Sequence, residues 1–495
     1  MSRSTTVRTA RTIALLTALP LVAAGACAPR PAGTAGAAAA GTQDPGAPGS
    51  TAVVAPGTAA GTTRPARELA RYAPGPDVRE FHGDPARSGQ ATAAPLGRPF
   101  RAWTTRLDGA VYAQPLLLTV ARRRMLVVAT EANSLYGLDP RTGAVRWHSR
   151  RIGQPVPGSR LPCGNIDPLG ITGTPVFDPR GGAVWAVAEI LGTGGHVHHV
   201  LVAVDPATGR IRLQRPVDPA GQDPRVEQQR GALLAADGSI YVAYGGLSGD
   251  CGAYHGYIVG SERRTGRLTV YRVPSTRMAG IWAPAGPVGD RAGHLYVAVG
   301  NGAATHGRWD HSDSVLELSA ALKLVGAFAP RQWAVDNAAD GDLGSAAPTL
   351  MGHGVLYADG KSPYAYALRA GHLRGVGTQL SRSTVCASYG ATAWRRDTVF
   401  VPCADGLRAV TVTAAGRMRV AWRAASSISG SPVVSGRYLF ALDRDHGTFD
   451  VLDATRGRVL SAVPIGAASR FATPAVSGAQ AFIGTMSGVV AVDGV

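Results

Sequence analysis

LYGLDPRTGAVRW (135–147) and LVAVDPATGRIRL (201–213) share one pattern. Each is a short apolar run, an Asp-Pro-x-Thr-Gly turn and a second run rich in β-branched or aromatic residues, which reads as strand, turn, strand. The flanks match as well. Gln114-Pro115-Leu116-Leu117 and an apolar run at 125–130 precede the first copy. Thr174-Pro175-Val176-Phe177 and a run at 184–190 precede the second. Working outward, the same unit of four short strands restarts near Pro115, Pro175, Ala232, Pro287, Pro348, Thr392, Pro432 and Pro474. The spacing is about 60 residues in the first half and about 40 in the second, the range of propeller blades.

A lone four-stranded sheet has two apolar faces and cannot bury itself, whereas a ring lets each face pack on a neighbour. The last unit offers only three strands, at 472–476, 481–484 and 488–492, and the early strand 100–107 with Trp103 supplies the fourth. We therefore predict an all-β chain, an eight-bladed β-propeller of four-stranded antiparallel blades, spanning 100–495 and closed by an N-terminal strand, which removes the sheet edges. The composition agrees: Gly 64 and Pro 34 in 495 residues favour turns over long helices, and 45% hydrophobic residues can fill a large core.

Arg3, Arg8 and Arg11 precede a short apolar run at 13–26, which reads as an export signal over 1–26, too short for a stable membrane span. Ala24-Gly25-Ala26-Cys27 resembles a bacterial lipobox, with Ala where Leu is common, and it also fits ordinary small-residue cleavage before Cys27. Removing Cys27 from a total of Cys 5 leaves Cys163, Cys251, Cys386 and Cys403, an even set able to pair in an oxidising compartment. That parity favours lipidation of Cys27 and a lipid anchor on the outer face of the cell membrane. Residues 27–67, mainly Ala, Gly, Pro and Thr, read as a flexible stalk, and 68–99 as a lead-in to the ring. Cys386 and Cys403 flank the turn 394–397, a hairpin geometry that suits a disulfide. Cys163 and Cys251 remain as a pair joining two long loops.

The formal net charge is +17, and all but two of the 50 basic residues are arginine, the exceptions being Lys323 and Lys361. A nucleic-acid binder concentrates such charge in a stripe interleaved with stacking aromatics. Here the arginines are scattered, which argues against nucleic acid and for a basic surface facing an anionic envelope. The extra length of the first-half units lies in loops, and long loops on a rigid ring carry binding. They hold Glu189, His196, His198, His199, Asp250, His255, Asn301, His306 and Asp310. The expected partner is thus a ligand or protein meeting the first-half loop face. The histidines read as strand-edge or loop residues, and Gly360-Lys361-Ser362 lacks the upstream glycine of a phosphate loop.

The strand, Leu/Val-Asp, Thr-Gly, Trp unit resembles the PQQ-type propeller repeat over nearly the whole of 81–495. This family includes quinoprotein alcohol dehydrogenases and cofactor-free lipoproteins of outer-membrane assembly. For the dehydrogenases the resemblance implies PQQ and calcium. Trp282 would stack on the quinone and Lys361 would lie over it. Asn301 in Val299-Gly300-Asn301-Gly302 and Glu189 in Val187-Ala188-Glu189 would be calcium ligands. The base would be Asp340 or Asp342, with Asp336 a third choice, because the family's Trp-Asp-x-Asp is broken here to Trp333-Ala334-Val335-Asp336. Calcium takes oxygen ligands of these types, and an Asp would accept the alcohol proton. The family's adjacent Cys-Cys pair is absent, as is a haem-attachment motif. Read by themselves, Trp282 is a packing aromatic, Asn301 a turn residue of positive φ, Asp340-Gly341-Asp342 a turn and Glu189 a rim charge.

Overall fold

The computed structural model describes residues 75–425 and 427–495. The expected export signal, Cys27, the expected stalk and residues 68–74 lie outside them. Eight antiparallel sheets follow one another along the chain. Their first strands start at Leu116, Val176, Leu234, Val288, Thr349, Ala393, Val433 and Ala475. Each start is one or two residues beyond that read from the repeat. Blade 1 is typical: Leu116–Val120, Arg123–Thr130, Ser134–Leu138 and Val145–Ser149 pair in chain order. Short turns link first to second strands and third to fourth, except in blade 5, where 370–380 intervene between third and fourth. The links from second to third strand, longest in blades 3 and 4, and those from blade to blade therefore all emerge at the opposite end of the ring, the loop face.

Burial explains why ring and repeat coincide. Middle strands such as Leu295–Val299 and Ser314–Leu318 are buried throughout, whereas fourth strands such as Ile211–Pro216 and Met418–Arg423 alternate between half-buried and exposed. The apolar side chains gather into one cluster per blade interface. Val184, Ala186 and Val202 join Leu118, Val127 and Leu135 between blades 1 and 2. Phe482, Val489 and Ala491 join Leu117, Leu126 and Val128 between blades 8 and 1. That last interface exists because Phe100–Arg106 pairs with Gly488–Asp493, so the N-terminal strand completes blade 8 as expected. Trp147 packs over Gly209 of the next blade, where a Cβ would come within 2.4 Å of the indole, and its Nε1 donates to the Pro206 carbonyl at 3.0 Å. The repeat's Trp and Thr-Gly are thus two halves of one interblade contact.

Both expected disulfides form, Cys163–Cys251 and Cys386–Cys403. The first ties the loop after blade 1 to a loop of blade 3, over a small apolar cluster of Ile166, Leu169 and Leu247. One short α-helix, Trp333–Ala338, stands where the broken motif was read. Blade 4 carries a fifth strand, Arg374–Val376, parallel to its outer edge.

The lead-in does more than its composition indicates. Val78 exchanges backbone hydrogen bonds with Leu117 of blade 1, and Arg79 accepts one from Phe177 of blade 2. Pro85 accepts from Gly289 of blade 4, Ser88 from Trp394 of blade 6 and Gly89 from Val434 of blade 7. Thr92–Ala93 then runs parallel to Ala475–Gly478 of blade 8. A short segment that meets the innermost strands of so many blades lies where they converge, and it makes one lap of the hub. Buried Arg87 fastens it, donating to Glu80 at 2.7 Å, to the Phe81 carbonyl at 3.1 Å and to Leu233 of blade 3 at 2.8 Å. Replacing Arg87 by Ala strands Glu80 and two carbonyls, so equilibrium denaturation should show a loss of about 3–5 kcal/mol. A loss below about 1 kcal/mol would show that the hub does not depend on this fastening.

Candidate functional site

The loop face has three polar centres. The first contains most of the residues expected from the resemblance. Gly300 ends the second strand of blade 4, and Asp342 lies in the link from blade 4 to blade 5. A Cβ on Gly300 would stand 2.7 Å from Asp342 Oδ2, and one on Gly344 would stand 2.4 Å from Gly300 Cα, so two backbones meet only because both positions are glycine. In this contact Asn301 N–H donates to Asp342 Oδ2 at 3.1 Å. Asn301 is absent from the residues of positive φ, so its flanking glycines serve close approach and the turn reading of Asn301 is corrected. Asp340 does adopt positive φ, at 53°, as a turn residue would. Lys361, after the second strand of blade 5, pairs with Asp340 and lies 3.6 Å from Asp342 Oδ1. Its ammonium is also 5.4 Å from the centre of the Trp282 ring. Burial pushes Asp342 up to about 6, against the pull of Lys361 and of hydrogen bonds from Asn301 and Trp282. Beside it, burial and the neighbouring Asp336 hold Asp313 well above the usual carboxylate range.

Trp282, Asn301, Asp340, Asp342 and Lys361 therefore converge, whereas Glu189 belongs to a second centre. It closes the second strand of blade 2 and is 3.3 Å from His199 Nε2, while His199 Nδ1 is 2.8 Å from Asp218. Both Glu189 and His199 are buried. Burial opposes the imidazolium, but Glu189 and Asp218 outweigh it and raise His199 to about 10. Neighbouring Glu227 and Glu131 are pushed up to about 8 and about 7, chiefly by burial. His196 and His198 lie at the strand edge, as read, with ring centres 6.5 Å apart.

Two residues at the hub were not anticipated. Phe471, before blade 8, meets Trp282, before blade 4, edge to face at 6.4 Å. These blades are opposite each other, so the pair spans the axis. The Arg230 guanidinium lies 4.8 Å from the Phe471 ring centre and 5.9 Å from that of Trp282. The cavity that remains, against Phe81 of the lead-in, is about 10 Å³, room for roughly one water. No local signal marks Arg230 or Phe471, because their meaning lies in a contact across the ring.

The donor set does not fit calcium with PQQ as it stands. Calcium takes six to eight oxygens. Glu189 Oε2 faces the His199 ring, the Lys361 ammonium already stands beside Asp342, and the Trp282 ring has Phe471 and two cations as neighbours. Among the described residues no group of three or more His, Cys, Asp or Glu is placed to hold a metal.

Sequence comparison matches residues 100–288 to the family described as outer membrane protein assembly factor BamB. No curated protein matches. Three solved structures share the fold. The quinohemoprotein alcohol dehydrogenase from Comamonas testosteroni is 14% identical, with a TM-score of 0.60 over 84% of this chain and 80% of its own. BamB from Moraxella catarrhalis is 17% identical, with a TM-score of 0.53 over 80% of this chain and 97% of its own. A europium-containing methanol dehydrogenase is 13% identical, with a TM-score of 0.63 over 84% and 97%. The resemblance read from the repeats is borne out by the family match over 100–288 and by the fold shared with these propellers.

The buried cluster sets a pH dependence. Glu131, Glu227 and His199 all hold protons more tightly when folded than when unfolded. Their contribution is complete below the unfolded values, near 4.5 and 6.5, and is lost as pH rises through the folded ones. Thermal unfolding should therefore shift downward from about pH 5 to about pH 10. His199→Gln should abolish the part of the decline above about pH 8, and a melting temperature that rises over this range would contradict the assignment.

Proposed function

We propose that this chain is an exported, lipid-anchored binding scaffold whose first-half loop face recognises a ligand or protein partner outside the cytoplasmic membrane. The reading is carried by the hub. Phe471, Arg230 and Lys361 already crowd the ring on which a quinone would stack, while Glu189, the carboxylate expected to bind calcium, faces His199 and the Lys361 ammonium stands beside Asp342. The two disulfides support an oxidising compartment. The match to the BamB family over 100–288 supports a scaffold in the cell envelope.

A calcium- and PQQ-dependent dehydrogenase is the competing reading. It draws on the convergence of Trp282, Asn301, Asp342 and Lys361, in which Asp342 or Asp340 would take the proton. Titration of the purified chain with PQQ and calcium separates the two. The scaffold reading expects no saturable quenching of tryptophan fluorescence and no alcohol-dependent dye reduction, and either signal at micromolar PQQ would defeat it. Anchoring is tested separately. Mass spectrometry of the mature N-terminus should find a diacylglyceryl group on Cys27, and a free thiol there would remove the anchor from the proposal.

A further inference from the structure

The third polar centre, on blade 1, is a cleft of about 620 Å³ lined by Asp108, Ser134, Tyr136, His148, Arg150 and Arg151, among others. Its floor is a hydrogen-bonded relay of fixed polarity. Arg150 Nε donates to His148 Nδ1 at 2.7 Å. A guanidinium only donates, so Nδ1 is the acceptor and Nε2 carries the proton of the neutral ring. Nε2 lies 2.9 Å from Ser134 Oγ, and Ser134 in turn donates to Asp108 Oδ2. Thr130 donates to the other oxygen, Asp108 Oδ1, at 2.9 Å. The serine proton thus points to a carboxylate already held by two hydroxyls, and His148 has no free lone pair with which to act as its base. The trio is built to hold a shape, not to make a nucleophile.

Tyr136 stacks on His148 at 3.9 Å and 21°, which stiffens the wall. The loop beyond Arg151 is pinned to blade 2, where Leu191 N–H donates to the Gln154 carbonyl at 2.8 Å and Pro155 bridges Ile190. Arg150 and Arg151 are exposed, and neither pairs with a carboxylate among the described residues. The cleft therefore presents two uncompensated guanidinium groups on an ordered base, opposite a single acid with both oxygens in use.

We propose that this blade 1 cleft is the part of the loop face that captures a partner, and that it binds the carboxylates of an acidic peptide segment. Paired guanidinium groups match carboxylates in fork geometry, and charge-assisted hydrogen bonds of this kind are the strong ones. Gln154 and Ser134 add groups able to meet the amides of a peptide backbone, which a bare oxyanion lacks. The proposal rests on the scaffold reading but uses none of the hub residues.

The test is fluorescence anisotropy of fluorescein-labelled hexaglutamate against the full chain, with hexaglutamine and inorganic phosphate as controls. Hexaglutamate should bind with an affinity that weakens as salt rises, hexaglutamine should not bind, and R150Q/R151Q should weaken binding about tenfold or more. Asp108→Asn removes the one acid among the described residues that line the cleft and should tighten binding several-fold, which general damage to the fold would not do. Equal affinity in the wild type and R150Q/R151Q, or equal binding of hexaglutamine, overturns the site. Displacement by phosphate at the same concentration as by free glutamate overturns the choice of peptide carboxylate. Turnover with PQQ would defeat the scaffold reading while leaving a positive result at Arg150 and Arg151 intact, so the two failures are distinguishable.

Discussion

Every blade sheds water from its faces only by leaning on the next, and this mutual burial is the constraint on which the structure depends. Each of the eight interfaces has its own apolar cluster, and none closes without both neighbours. The strand Phe100–Arg106 is therefore as structural as any core residue: without it blade 8 lacks an outer strand and the ring a seam. The lead-in applies the same logic at the centre. A ring of eight inner strands would otherwise leave an open axis, and residues 78–94 fill it by pairing with those strands in turn.

Filling the axis has electrostatic consequences. Glu131, Glu189, Glu227, Asp313, Asp342 and Asp359 are all buried, whereas exposed arginines are spread around the outer strands. In a low-dielectric interior a carboxylate either finds a cation or holds its proton. Asp342 and Glu189 find Lys361 and His199, while Asp359 is pushed up to about 7 by burial. Acids that face inward offset little of the charge of arginines that face outward. The blade 1 cleft is a local case: its one acid is held by Ser134 and Thr130, and its two arginines remain free of carboxylates among the described residues.

Much of the candidate site was legible from residue type and local order. Asn301, Asp342, Lys361 and Trp282 could be picked out because strand ends on one face of a ring converge, and they do converge. Glu189 was picked out from its strand end, and its contact with His199 across the same blade could not be read from local order. Arg230 and Phe471 were invisible because a residue that reaches across an axis has no neighbour in sequence to announce it. Asp108, Ser134 and His148 are ordinary strand residues until a third-strand serine, a fourth-strand histidine and the acid of another segment meet at one corner.

By itself the sequence determined the ring. Turn chemistry and strand periodicity are local, they recur, and a repeated unit with two apolar faces has few ways to bury both. It also determined the cysteine pairing, because the four cysteines after Cys27 divided into one hairpin pair and one remainder. Only the tertiary structure decided what occupies the centre and which polar groups face one another. Those outcomes depend on distances between blades far apart in the chain, set by side-chain packing and by the cost of burying charge, and neither leaves a periodic mark on the sequence.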